Sequence, residues 1–273
     1  MRHFASSPLA LLASVRSNAG LIWALAVRDV LGRYRGSALG IAWSFFHPLI
    51  MLAIYTFVFS GVFKSRWGGG VDEPATEFAV TLFAGLLTFN FFSEIATRAP
   101  GLIVSNANFV KKVVFPLETL SIVSLCSASF HLAVSLVVLL VAEAVLQGHV
   151  PMTALCFPMV VIPLMLLSLG CSWFLSALAV YVRDVAQLAG IVTSILLFVS
   201  AVFFPLSAVP EPFRAVLEAN PLAMIVDASR QLLVLGTMPS VGRVLAIWGV
   251  ALVSLILGFF WFQRTRRGFS DVL

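Results

Sequence analysis

Residues 28–48 read RDVLGRYRGSALGIAWSFFHP and join a charged segment to an apolar one. The first eight of these residues include three arginines and one aspartate, and no residue from 36 to 63 is Asp, Glu, Lys or Arg. Soluble domains rarely contain such a transition, because an uncharged run of this length is long enough to cross a membrane. The pattern is typical of a cationic helix on a membrane surface that leads into a membrane-spanning helix.

The composition indicates that most of the chain faces lipid or other helices. Charged residues make up 11% of the 273 residues, hydrophobic residues make up 60%, and the mean hydropathy is +1.05. A soluble domain contains about 25% charged residues. The net charge of +5 does not indicate nucleic-acid binding, because the basic residues cluster at the ends of apolar runs, where anionic headgroups attract them. The three cysteines lack metal-ligand spacing, so we expect no metal site.

Six apolar runs reach the length of about 20 residues that a membrane-spanning helix needs. They cover residues 39–63, 76–97, 116–146, 152–180, 187–207 and 242–262. Twelve lysines and arginines fall in the segments on one side of these runs, and five fall on the other. The positive-inside rule therefore places both termini in the cytosol. The sequence predicts an all-α integral membrane protein that forms a single domain over residues 1–273.

Residues 17–35 are predicted to form an amphipathic helix at the membrane interface. Its apolar and charged residues fall on opposite faces at a spacing of 3.6 residues. The apolar face comprises Trp23, Val27, Val30, Leu31 and Tyr34. The alternative is a helix that faces the core of a soluble cap.

The external segment 208–241 is too apolar for a simple loop, yet its four prolines prevent a seventh span. Two short helices are expected near 211–219 and 221–235, because Asn220 followed by Pro221 is a good helix start. We interpret them as re-entrant helices of the outer leaflet. Irregular backbone is tolerated at membrane depth only where protein or a water-filled cavity covers it, which suggests a lid over an opening.

The sequence contains none of the motifs that mark common enzyme active sites. It has no G-x-S-x-G, no H-E-x-x-H and no Gly-Lys pair, and the last absence excludes a Walker A motif. We therefore expect no catalytic residues and no bound cofactor in this chain. The ionisable residues in or near the spans are either functional or simply hydrogen-bonded, and they are too scattered for an ion-driven transporter. They are His47, Glu94, Glu118, His131 and Glu143.

Aromatic residues are concentrated in the first, second and fifth predicted spans. Tyr55, Phe59 and Phe63 recur every four residues and so share one helix face. Aromatic faces stack on the C–H faces of sugar rings, so such a face suits a track for a glycan. Ordinary packing or lipid-facing aromatics are the alternative. The candidates for the track are Trp43, Phe46, Tyr55, Phe59, Phe63, Phe198 and Phe203.

The second cytosolic loop, residues 98–116, contains a short apolar segment between a helix break and two lysines. Pro100 and Gly101 end the preceding helix, and Lys111 and Lys112 mark the return to the membrane. A short helix of this kind suits docking into a groove on a partner. A basic loop between two spans explains the same residues.

The pattern R-D-x-x-x-R-Y-R-x-S-x-L-G-x-x-W-x-x-x-x-P over residues 28–48 resembles the start of ABC-2 type transporter permeases. The polysaccharide-export branch, which serves O-antigen, capsule and teichoic acid exporters, is most similar. The resemblance continues through NFVKKVVFP (108–116), YVRD (181–184) and the pair Asn220–Pro221, and it covers nearly the whole chain from about residue 20.

The resemblance implies a homodimer of six-span subunits in the bacterial inner membrane. Two separate ATPase subunits, which bind ATP and Mg²⁺, would drive it. The first and fifth spans would line the channel. The residues implied to contact the ATPase are Arg28, Asp29, Arg33, Asn108, Lys111 and Lys112. The residues implied for the external gate, segment 208–236, are Pro212, Asn220, Pro221, Asp227 and Arg230.

The resemblance also implies the substrate, a lipid-linked polysaccharide such as undecaprenyl-diphosphate-linked O-antigen. Arg33, Tyr34 and Arg35 are candidates for its diphosphate headgroup, although ATPase docking or anionic lipid explains the arginines equally well. A capsule or teichoic acid exporter, or an ABC-2 exporter of a small amphiphile, are the alternatives. A membrane-embedded transferase would need acids or histidines that converge at one membrane depth, and the sequence shows no such set.

Overall fold

The computed structural model describes residues 15–58, 75–111, 115–206 and 209–273, and these residues form helices and connecting turns without any β-strand. The prediction of an all-α chain is confirmed. The helices are α1 (Ala19–Arg33), α2 (Trp43–Tyr55), α3 (Ala75–Arg98), α4 (Gly101–Val104), α5 (Ala107–Lys111), α6 (Thr119–Leu146), α7 (Pro158–Tyr181), α8 (Val185–Val199), α9 (Glu211–Glu218), α10 (Pro221–Leu233), α11 (Val241–Thr265) and α12 (Phe269–Val272).

Five helical stretches have the length and composition to cross a membrane, counting 3₁₀ turns that continue them. They are Gly40–Val58, Glu77–Arg98, Thr119–Leu146, Met152–Tyr181 and Val241–Val272, and they correspond to five of the six predicted spans. Residues 59–63 of the first predicted span lie outside the described residues.

The fifth predicted span, 187–207, is a shorter helix than the hydropathy indicated. α8 is apolar but has 15 residues and ends at Val199. The chain leaves the helix there because Ala201 adopts a left-handed backbone conformation, with φ at 52°, which a helix cannot contain. The described apolar residues between Val199 and Leu206 therefore form an irregular segment.

α3 is the central helix of the bundle. Of its most apolar window, 83% is buried inside the subunit, against 17% for the first span. α3 packs against α6, α7, α8 and α10. The largest interhelical contact is between α7 and α11, where Gly170 faces Gly258. A Cβ atom on either glycine would overlap the backbone of the other helix, and small residues of this kind let membrane helices approach closely.

α1 lies against α6 and presents two apolar faces rather than the single face predicted. Ile22, Ala26 and Val30 are buried against the bundle, whereas Trp23 is 72% exposed. Val30 was predicted to share the face of Trp23, and that assignment is wrong because the helix packs on protein as well as facing outward. The exposed apolar face includes Val27 and Leu31 along with Trp23, as expected for a helix at a lipid interface.

Hydrogen bonds define the two ends of the bundle. At the end that carries α1, Arg266 donates to Glu118 at 2.7 Å, and the Tyr181 hydroxyl donates to the carbonyl of Thr265 at 2.7 Å. At the opposite end, Thr153 donates to the carbonyl of Leu232 at 2.7 Å.

Candidate functional site

Ionisable side chains from α1, α3 and α6 converge where α1 ends. Arg98 donates from Nη2 to both carboxylate oxygens of Asp29, at 2.8 and 2.9 Å. Arg33 donates to Oε1 of Glu94, and a guanidinium Nη1 of Arg98 lies 3.6 Å from the same oxygen. Each acid on one helix thus meets an arginine on the other. We refer to Asp29, Arg33, Glu94, Arg98 and His131 as the ion-pair cluster.

His131 joins α6 to this cluster. Its Nδ1 atom lies 3.1 Å from Arg33 Nη1 and 3.5 Å from Oε2 of Glu94, and its Nε2 atom lies 3.0 Å from the Tyr34 hydroxyl. The last turn of α1 is therefore connected to both α3 and α6.

The cluster also shifts the titration of Asp29, which lies on α1, outside the candidate spans. Burial alone would raise the pKa of its carboxyl, but the hydrogen bond from Arg98 and the charges of Arg98 and Arg33 outweigh burial and place the pKa below its ordinary value. Asp29 is therefore ionised, and paired, throughout the neutral range.

A polar cavity of about 690 Å³ opens beside the cluster, between the end of α1 and the helices α2, α3 and α6. We call it the outer cavity. Its lining is Arg33, Tyr34, Ser37, Trp43, Ser44, His47, Pro48, Asn90, Ser93, Glu94, His131 and Ser135. An inner cavity of about 300 Å³ shares six of these residues and continues between the same spans to Tyr55, Phe83 and Phe91. The two cavities together run from a polar rim to an aromatic interior.

The convergence of Glu94 and His131 was missed by sequence reasoning, which treated them as scattered. A signal was present, because Asp29 and Arg33 are spaced i, i+4 on one helix and Glu94 and Arg98 have the same spacing on another. Two helices that each carry an acid and a base at this spacing pair well when they run antiparallel.

The residues predicted to contact the ATPase divide into two groups. The side chains of Asp29 and Arg33 are occupied by contacts within the subunit. Arg28 and Asn108 are exposed. Lys111 is the last residue of α5, and Lys112 lies outside the described residues. The candidates for headgroup contact divide likewise, because Tyr34 lines the outer cavity and Arg35 is exposed.

The residues predicted to form the aromatic track do not all lie on the same surface of the subunit. Trp43, Phe46 and Phe198 are exposed at the surface of the subunit, and Phe203 packs on Phe198 with ring centroids 5.5 Å apart. Tyr55 instead packs into the bundle and lines the inner cavity. Phe59 and Phe63 lie outside the described residues.

The external segment contains one anchored helix and one exposed helix. Arg230 of α10 is only 1% exposed and donates to the carbonyls of Thr81 at 3.2 Å, Ala201 at 2.8 Å and Val202. Asn220 caps α10 by accepting from the backbone N–H of Leu222 at 3.0 Å. Arg230 is one of the five basic residues on the side of the predicted spans opposite the termini, and the structure places its side chain inside the bundle, where it binds the carbonyls left open as α8 ends.

The remaining residues predicted for the gate flank these contacts. Asn220 also donates to the carbonyl of Val199 at 3.2 Å, Pro221 begins α10, and Asp227 of α10 accepts from Arg243 of α11. Pro212 lies in the first turn of α9, an amphipathic helix whose Phe213 and Val216 are exposed.

Among the residues described, no group of three or more His, Cys, Asp or Glu side chains is placed to hold a metal ion. The long apolar helices, the helix α1 at one end and a polar cavity at the same end define a multi-pass membrane protein. The chain belongs to the ABC-2 type transporter family, whose model matches residues 20–234. The resemblance found in the sequence is thereby confirmed.

Similar proteins include permeases of O-antigen export systems and a polysialic acid transport protein. O-antigen export system permease protein RfbA of Klebsiella pneumoniae is 24% identical over 265 residues, which cover 95% of this chain and 98% of that protein. RfbA of Myxococcus xanthus is 25% identical, with 92% and 95% covered. Polysialic acid transport protein KpsM of Escherichia coli is 25% identical, with 89% and 92% covered.

Proposed function

We propose that this chain is the permease subunit of an ABC transporter that exports a lipid-linked polysaccharide, specifically undecaprenyl-diphosphate-linked O-antigen, out of the cytosol. Two copies form the channel, and separate ATPase subunits that bind ATP and Mg²⁺ drive export. The similarity to O-antigen export permeases over almost the whole chain supports the substrate class. The lack of any Gly-Lys pair supports a separate ATPase, since a Walker A motif requires that pair.

A channel between two copies is supported by the exposure of the first span and of α8 within one subunit. Phe198 on α8 is 61% exposed, and Trp43 and Phe46 of the first span are exposed as well. A second copy that faces these two helices encloses a passage lined by aromatic side chains. Such a lining lets a glycan slide, because aromatic faces contact the C–H faces of successive sugar rings without a fixed register.

Six crossings, with both termini in the cytosol, follow if α8 and the segment after it cross together. A 15-residue helix spans about 22 Å, which is short of the roughly 30 Å hydrocarbon core. Residues 200–206 supply the rest, and the contacts of Arg230 with Ala201 and Val202 satisfy their exposed carbonyls. In this arrangement the end that carries α1 is cytosolic.

We place the ATPase contact on the cytosolic face, at Arg28 of α1 and at the short helices α4 and α5. Arg28 and Asn108 are exposed there. Replacing Lys111 and Lys112 with Glu is expected to weaken co-purification of the ATPase, because cationic side chains next to α5 would become anionic. Unchanged recovery of the ATPase would count against docking at this loop.

The diphosphate headgroup is assigned to Arg35 together with Tyr34. Arg33 is already paired with Glu94, whereas Arg35 is exposed and forms no ion pair within the described part of the chain. At the other end, α9 forms the external gate, while α10 is its fixed base. The anchoring of α10 by Asn220 and Arg230 supports this division.

Export of a capsular polysaccharide is a second candidate, and the similarity to KpsM supports it. Export of a small amphiphile is a third, and the apolar end of the inner cavity supports it. A bacterial strain from which this chain has been deleted tests all three candidates. Loss of this chain is expected to trap a lipid-linked glycan inside the cell, and chemical analysis of that glycan separates O-antigen from capsule. Normal surface glycan in the deletion strain would reject polysaccharide export.

A further inference from the structure

The outer cavity contains polar side chains that have no partner within the described structure. His47, Asn90, Ser93 and Ser135 line it, and none of them makes a side-chain hydrogen bond to any described residue. Ser44, in the same lining, instead donates to the carbonyl of Ile41 at 2.7 Å. His47 and Asn90 are exposed, and Ser93 and Ser135 are partly exposed, so their hydrogen-bonding groups are open to the cavity. Four such groups around one space suit a polar ligand that hydrogen-bonds to them.

The charges beside this cavity cancel one another. Arg33 and Glu94 both line it and contact each other, and Asp29 and Arg98 pair directly behind them. A site for a free anion or cation would leave a charge of the opposite sign unpaired. The lining therefore suits a neutral ligand that is rich in hydrogen-bonding groups.

Both cavities are also lined by aromatic side chains. Trp43 and Tyr34 line the outer cavity, and Tyr55, Phe83 and Phe91 line the inner one. The volume of about 690 Å³ lies within the range of small-molecule sites, about 300–1,000 Å³. Hydroxyl, amide and imidazole groups next to aromatic faces match a sugar ring, which offers hydroxyls at its edge and C–H groups on its faces.

We propose that the outer cavity is a carbohydrate-binding site that takes an uncharged sugar ring of the exported glycan next to its diphosphate linkage. Asn90, Ser93 and Ser135 bind the sugar hydroxyls, and Trp43 covers a C–H face. Arg35, close in sequence to Tyr34, meets the phosphates outside the cavity. The assignment rests on the proposed export function and adds that the subunit reads the sugar next to the lipid.

Photo-crosslinking in intact cells tests the site with the cell's own lipid-linked glycan as the probe. A benzophenone-bearing phenylalanine analogue replaces Ser93, and in the control it replaces Val137, which is exposed on α6 and does not line the cavity. Glycan-bearing adducts are expected at position 93 and not at 137. Equal labelling at both positions, or none at 93 while the deletion strain still traps glycan, overturns the site. A deletion strain that traps no glycan overturns the export function itself.

Export rates give an independent measure. Asn90→Leu and Ser135→Ala are each expected to slow glycan export roughly fivefold, the effect of one lost hydrogen bond. Ser129→Ala is the matched control on α6, because its hydroxyl bonds the carbonyl of Leu125 at 2.7 Å and lies outside the cavity. Wild-type rates in both cavity variants, at wild-type levels of folded protein in the membrane, contradict sugar binding here.

Discussion

Arg98 of α3 holds both carboxylate oxygens of Asp29 on α1 through one guanidinium nitrogen, at 2.8 and 2.9 Å. A charge-assisted contact of this kind is stronger than a neutral hydrogen bond. It connects α1 to α3, the central helix of the bundle, whose Asn90 and Ser93 line the outer cavity. A displacement of α1 is therefore expected to move α3 as well.

Charge reversal tests this connection. Asp29→Arg and Arg98→Asp are each expected to lower the free energy of unfolding by about 1 kcal/mol, since the pair is partly exposed and solvent screens it. The double variant should recover part of that loss because the pair re-forms with exchanged charges. Thermal unfolding in detergent measures all three, and Arg28→Asp, which removes a residue without an ion pair among those described, is the control. Strictly additive losses would contradict the pairing.

The pH dependence of stability follows from Asp29. Its pKa is lowered in the folded protein, so its contribution is present above the unfolded value of about 3.9 and is lost as the pH falls through the folded value. The difference in unfolding free energy between the wild type and Asp29→Asn should be constant from pH 7 to 5 and vanish at strongly acidic pH. A difference that disappears near pH 6 would mean that another group is responsible.

Gly258→Ala is expected to destabilise the subunit by about 1–3 kcal/mol, the usual cost of overpacking. Its new Cβ atom would overlap the backbone at Gly170, so α7 and α11 would have to separate. Gly249→Ala on the same helix is the control, since a Cβ there meets nothing within 4 Å. It should be neutral or slightly stabilising, because alanine is the better helix former. Thermal unfolding distinguishes the two, and equal behaviour would contradict the close crossing.

Arg230→Lys is expected to lower the free energy of unfolding by about 2 kcal/mol, although it keeps the positive charge. One ammonium group cannot reach the three carbonyls that the guanidinium binds from a fixed fork. Arg214→Lys is the comparison, since Arg214 donates to the carbonyl of Leu206 at a longer distance, 3.3 Å, and is less buried. Limited proteolysis after residue 199 is the readout, with faster cleavage expected only in Arg230→Lys. Similar cleavage in both variants would exclude the anchoring role.

The amount of the fold that the sequence predicts depends on whether the signal is local. Hydropathy locates the long helices because spanning length is a local property, and the start of α10 follows from Asn220 and Pro221. The burial of Arg230 is not predictable in this way. Its partners lie as far as 149 positions away in the chain, and the need for a cation arises only once α8 ends at Val199.

In the candidate site, too, the local features can be predicted from the sequence and the contacts between distant residues cannot. The cationic end of α1 and the aromatic residues of the first span are visible in the sequence. The sharing of one cavity by His47, Asn90 and Ser135 is not visible, because each lies on a different helix and none follows a motif. The inward orientation of Val30 was likewise hidden, since both apolar faces of α1 have suitable residues.

The contact between Gly170 and Gly258 limits how the subunit moves during a transport cycle. Because their backbones are this close, α7 and α11 are expected to move together. Rearrangement is then expected in elements that are packed more loosely, such as the first span, of which 17% is buried within the subunit. The paired helices would serve as a fixed support against which the first span and the external gate move.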